Sequence, residues 1–187
     1  MRPTAVDSCF EVAFWFLARA IEDGEYLQPQ KLQRLMYLAQ AYFGVIQGCA
    51  KLMPATFVAK EEGPIEPTIY KAMARGRPQI DAAPVDEVPR HVLDSVWRQF
   101  GAHSTDYLDK MIRRHPPFAD ALAIGLGSEI SLEAMIDFYG TQGTGRRSLK
   151  ATAPDAPSAD KVLRPKVMRN HSGKPVSTTK WMPKRVD

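Results

Sequence analysis

A chain of 187 residues is long enough for one domain with room for a tail, and an apolar fraction of 44% supports a packed core. No apolar run approaches the roughly 20 residues of a membrane-spanning helix, and the start Met1-Arg2-Pro3-Thr4 lacks the apolar stretch of a signal peptide, so a cytoplasmic protein is expected. The net charge of +4 divides unevenly: residues 141–187 hold eleven Lys or Arg against three Asp, leaving the first 140 residues mildly acidic.

Two cysteines, Cys9 and Cys49, are too few for a disulfide framework or a four-cysteine metal site. Both lie in apolar helical patterns, where reduced thiols pack as small hydrophobes.

A first helix is expected to begin near Thr4 or Asp7, either of which can cap the free amides of a first turn. Phe10, Ala13, Phe14, Leu17 and Ile21 recur on one face, Val12, Trp15 and Phe16 widen it, and Asp23-Gly24 stops it. A second helix starts at Pro29, whose fixed φ and missing N–H suit the first helical position. Leu32, Leu35, Met36, Ala39, Phe43 and Ile46 form one apolar face and Leu38, Ala41, Tyr42 and Val45 another, which leaves Lys31, Arg34, Gln40 and Gln47 for solvent or a partner. Gly48 ends it.

Residues 51–62 read as a loop with a short extended segment, too brief for a sheet, and Gly63-Pro64 reads as a tight turn. Pro67 fixes the entry to a helix over 68–75, and 79–89 is a surface loop. Shorter helices follow over 91–100, after the cap Ser104, over 118–126 and from Ser131 to a stop at Gly140. The expected fold is all-α, a compact bundle of six to seven helices around a central hydrophobic helix pair, spanning residues 1–140.

Past Gly140 the composition changes. Residues 141–145 and 151–159 are rich in Gly, Thr, Ala and Pro, and the basic remainder, 141–187 in all, is expected to be a disordered tail.

Two stretches are the most specific text in the chain: Pro29-Gln30-Lys31-Leu32-Gln33-Arg34-Leu35-Met36-Tyr37-Leu38-Ala39-Gln40, and Gly63-Pro64-Ile65-Glu66-Pro67-Thr68-Ile69-Tyr70. Together they resemble the Panacea, or SocA-like, antitoxin domain, with a weaker echo in Phe100-Gly101 and Ser104 to Leu108. Departures are Gln28 where the family has Thr, Lys60-Glu61-Glu62 where it has a Trp-x-Tyr sequence, Ile112-Arg113 in place of Thr-His, and Phe118 in place of Trp. The resemblance covers roughly residues 5–140 and implies an antitoxin that neutralises a cognate protein toxin by direct binding. In the SocA type the antitoxin is a proteolytic adaptor that delivers its toxin to the ClpXP protease.

Candidate partner contacts are Lys31, Arg34 and Tyr37 on one rim of this stretch and Lys60, Glu61, Glu62, Gly63, Pro64, Glu66 and Tyr70 on the other. In the tail, Arg164, Lys166, Arg169, Trp181, Lys184 and Arg185 are candidate contacts for a protein or for weak nucleic-acid binding. A nucleic-acid-binding or transcription-regulating module built on that tail is the alternative, although its cations are dispersed and Trp181 is its single aromatic.

No enzyme, cofactor or metal is expected. His91, His103, His115 and His171 fall on separate elements, and Gly143-Thr144-Gly145 neither follows a strand nor precedes a helix.

Overall fold

The helix expected at Pro29 forms as α2, Pro29–Ile46, in a computed structural model that describes residues 4–141, 156–164, 168–169 and 175–176. Every α2 residue from Leu32 to Gly44 is buried, so the helix is enclosed on all sides rather than along one stripe. Around it pack α1, Cys9–Glu22; α3, Pro67–Met73; α4, Glu87–Phe100; α5, Thr105–Arg113; α7, Leu132–Thr141; and α8, Ala159–Leu163. The sixth helix, α6, Pro116–Ile124, lies against α5 and α7. The architecture is mostly helical, as the apolar periodicity indicates.

The expectation that residues 51–62 are too short for a sheet does not hold. β1, Phe57–Lys60, pairs antiparallel with β2, Gly63–Ile65, and with β3, Glu129–Ile130, in the order β2-β1-β3. Four residues suffice for β1 because Phe57 and Ala59 are buried beneath the sheet, Phe57 edge-on to Tyr37 with ring centroids 5.6 Å apart. Short strands that lack a repeated alternation leave little periodic signal in the sequence.

Caps explain most helix limits. Ser8, rather than Thr4 or Asp7, caps α1 in a reciprocal box with Glu11. Ser104 accepts from the Tyr107 amide and Ser131 from the Ala134 amide, as their positions suggest. Helix α6 stops at Ile124, two residues short of the expected end, so Leu126 lies outside it and is 60% exposed. Cys49 is not packed in a helix: it follows α2 in a left-handed conformation, φ +71°, and is exposed. Cys9 is buried, and that burial, reinforced by the charge of Glu66, pushes its thiol up to about 11.

Close approach of α2 and α7 depends on Gly44, where a Cβ would lie 2.8 Å from Ile136 Cγ1. Inside this crossing Tyr42 packs on Tyr139 at 5.1 Å and on Phe100 at 5.9 Å between ring centroids. His115 is fully buried beside them, its Nδ1 2.9 Å from the Tyr139 hydroxyl.

The boundary expected after Gly140 leaves out part of the packed body. Residues 156–164 lie against α2 and α4, with Ala156 and Val162 buried and the Tyr42 hydroxyl donating to the Pro157 carbonyl at 2.7 Å. Farther along, Met168–Arg169 and Pro175–Val176 pair antiparallel as β4 and β5.

Candidate functional site

The motif on α2 carries polar side chains at Lys31, Gln33, Arg34 and Gln40, and each turns out to hold another part of the same chain. Lys31 Nζ donates to the Gly101 carbonyl at 2.5 Å, lies 3.9 Å from Glu25 and approaches the Trp97 ring face. Gln33 Oε1 accepts from the Glu66 amide at 2.7 Å, and Gln40 Oε1 accepts from the Met53 amide at 3.2 Å. Lys31, Arg34 and Gln40 were expected at the surface; Arg34 and Gln40 are buried, as is Gln33, and Lys31 is half-buried.

Arg34 is the centre of this arrangement. Its guanidinium, 2% exposed, donates from Nε and Nη2 to Asp109 Oδ1 at 3.2 and 3.0 Å and from Nη1 to the Pro64 carbonyl at 3.4 Å. Burial pushes the guanidinium below its ordinary value, and Asp109 opposes the shift. The second oxygen of Asp109 accepts from Arg113 Nε at 2.6 Å, and Arg113 Nη2 donates to the Glu61 carbonyl. One carboxylate on α5 thus joins two arginines that each grip a main-chain oxygen of the β1–β2 hairpin.

Gly63 is where the hairpin meets this clasp. Its φ is +112°, and an added Cβ would stand 2.6 Å from Arg34 Nη2 and 2.7 Å from Asp109 Oδ1. Register pairs Lys60 with Gly63, so Glu61 and Glu62 alone form the turn. Glu66 closes the segment from the other end: it caps α3 by accepting from the Ile69 amide at 2.6 Å and is itself buried.

The proposed rim residues therefore divide in two. Arg34, Tyr37, Gly63, Pro64 and Glu66 are buried, with Tyr37 wholly enclosed, its hydroxyl facing Tyr139 and its ionisation pushed far up by burial. Lys60, Glu61, Glu62 and Tyr70 are exposed. Three of these exposed residues converge on a groove of about 440 Å³ between the sheet and α3, whose floor is Val58, Ile65 and Pro67 and whose walls carry Lys60, Glu62 and Tyr70 with Lys71 and Gly127.

A further exposed apolar pair lies near this surface. Ile124, the last residue of α6 and 81% exposed, and Leu126, in the α6–β3 loop, lie next to Gly127, whose amide donates to the Ala59 carbonyl at 2.7 Å beside the groove. Both fit the period of an apolar helix face; Ile124 ends the helix on its exposed side, and Leu126 lies past the stop at Gly125. Asp109 and Arg113 were also passed over, though their spacing of four on one helix was the available signal.

Of the tail residues, Arg164 is exposed at the end of α8. Arg169 lies in β4 with no described side chain, and Lys166, Trp181, Lys184 and Arg185 lie outside the described residues. Among the described residues no three His, Cys, Asp or Glu side chains converge as a metal site, and no helix is long and apolar enough to cross a membrane.

The chemistry available at the groove is that of docking: an apolar floor, a half-exposed tyrosine, two ammonium groups and a charged turn on a fixed mount. Compared with protein-family models, with curated proteins and with solved structures, the chain matches none.

Proposed function

We propose that this chain is a cytoplasmic antitoxin without catalytic activity of its own, neutralising a cognate protein toxin by direct binding through the hairpin tip and the adjoining groove. The observation that carries this function is the pairing of a rigidly mounted charged turn, Lys60 to Glu62, with the adjoining groove, whose floor of Val58, Ile65 and Pro67 is apolar and whose wall carries the exposed Tyr70. Exposed aromatic and aliphatic side chains rimmed by charge mark protein-binding surfaces. Masking the toxin requires this surface alone. Delivery to ClpXP, which the resemblance to the SocA type implies, needs a second contact for the protease, and the basic residues after α8 are the proposed place for it.

The test is co-expression with the product of the neighbouring gene. Wild-type chain should co-purify with that product and restore growth, whereas the double substitution Lys60→Glu and Tyr70→Ala should lose both while its unfolding midpoint stays within about 0.5 kcal/mol of wild type. Absence of co-purification and rescue by the wild type, or full rescue by the double variant, would refute the proposal.

A further inference from the structure

Helix α8 has five residues, far fewer than a helix needs to hold its shape alone, and its cap Ser158 makes no side-chain capping bond. Its conformation is therefore imposed by the surface it lies on. That surface holds it through buried Val162 and Ala156, the half-buried Ala159 and, among the described residues, one hydrogen bond, from the Tyr42 hydroxyl to the Pro157 carbonyl. Tyr42 is itself fully buried, so its hydroxyl is a fixed donor at the bottom of the seat, aimed at an acceptor that α2 and α4 do not supply.

The occupant also underfills its site. Leu163 borders a hollow of about 800 Å³ that continues between α1, α2 and α4 past Trp15, Ile46, Val88 and Val92. Val88 is 55% exposed there, and Trp15 and Ile46 are only half-buried. Arg19, Glu22, Glu87 and Asp94 ring it with charges of both signs. A core element closes the space beneath it, whereas a docked segment covers part of a longer trough.

We propose that the trough over α2 and α4 is a docking site for a short segment of a partner protein with the chemistry that residues 156–164 display, and that these residues occupy it in cis as a competitor. The chemistry is specific: a small residue, then an extended proline-containing step whose carbonyl meets Tyr42, then one helical turn that places a β-branched aliphatic side chain in the pocket filled by Val162. The downstream aliphatic position, Leu163 in the cis segment, is where a partner with a larger side chain gains contact in the hollow. These residues are distinct from those of the toxin-binding surface proposed above.

Residues 142–155 join the cis segment covalently to the rest of the chain, and a covalent link makes its docking intramolecular, so that a free peptide must compete with it. A labelled peptide with the sequence of residues 156–164 is therefore the probe, titrated into the full chain by fluorescence anisotropy. Val162→Asp in the full chain should release the cis segment and bind the peptide on the order of tenfold more tightly than wild type does, while a peptide with Asp in place of its valine should bind neither. Native-state hydrogen exchange on the wild type gives an independent reading, in which amides of 159–164 should exchange at least a hundredfold faster than those of α2.

Equal exchange in α8 and α2, loss of cooperative unfolding in Val162→Asp, or peptide binding that is absent or equal in both proteins would each overturn the proposal. So would release accompanied by dimers in light scattering, which would make a second copy of the chain the occupant.

Discussion

Replacing Gly63 with Ala separates two roles for the Gly63-Pro64 start of β2, a surface presented to a partner and a seat for the Arg34 guanidinium. The backbone cost comes first: a φ of +112° with a side chain attached costs on the order of 1–3 kcal/mol. Packing adds to it. The new methyl would stand 2.6 Å from Arg34 Nη2, 2.7 Å from Arg34 Cζ and 2.7 Å from Asp109 Oδ1, and overpacking of this kind costs about 1–3 kcal/mol. Moving the guanidinium aside offers no cheap escape, because its bonds to Asp109 at 3.0 and 3.2 Å would lengthen in a buried site.

The expected total is about 2–6 kcal/mol, read as a lower midpoint in urea denaturation at unchanged slope. Gly48→Ala is the control. Its φ of +59° carries the backbone strain, but nothing lies within 4 Å of the added Cβ, so its cost stays near about 1 kcal/mol. A second control exploits the clash: in an Arg34→Met background Gly63→Ala should cost about 1–3 kcal/mol less than in wild type. Equal costs at Gly63 and Gly48, or simple additivity with Arg34→Met, would refute the seat.

Arg34→Met alone should destabilise by about 2–4 kcal/mol in the same denaturation assay, the lower end reflecting that Asp109 keeps Arg113 and some solvent. Gly44→Ala should cost about 1–3 kcal/mol by forcing Ile136 away from α2, and Ile136→Ala should recover part of that loss in the double variant. Alkaline pH should unfold the chain: burial raises the ionisation of Tyr37, Tyr42 and Tyr139, so these phenols stay protonated in the fold while the unfolded chain loses their protons from about pH 10. Their contribution is then full below about pH 10 and falls above it, by up to about 4 kcal/mol per pH unit for three groups; tyrosinate absorbance that rises without any cooperative step would contradict this.

Apolar spacing made the helices legible because a buried face repeats every 3.6 residues over ten or more positions, as in α2 and α4. It located the cap at Ser104 and the stop of α4 near Gly101 for the same reason. The sheet was illegible because its strands have four, three and two residues, and its pairing is held from outside, by Tyr37 against Phe57 of β1 and by Arg34 and Gln33 along β2 and just past its end. Exposure of Lys31, Arg34 and Gln40 was misread because a polar residue in a helix is usually solvated. Here each one meets a backbone group that needs a partner, and such pairings join residues 13 to 70 positions apart. The clasp is a property of tertiary structure. No local rule contains it.

The clasp also bears on how this scaffold changes partners. Both arginines hold the hairpin by main-chain oxygens, Arg34 at Pro64 and Arg113 at Glu61, and Gln33 holds the Glu66 amide. A mount that grips backbone is indifferent to the side chains at the tip, so the identities of Lys60, Glu61 and Glu62 can change without altering the turn's position. Gly63 is the exception, since its missing side chain makes the seat. The specific text of the chain therefore identifies the mount, and the three exposed residues before Gly63, with Tyr70 and the Ile124–Leu126 loop beside them, are the positions free to determine what is bound. Under the proposed function, exchanging 60–62 between two chains with this mount should transfer partner preference while leaving stability within about 0.5 kcal/mol.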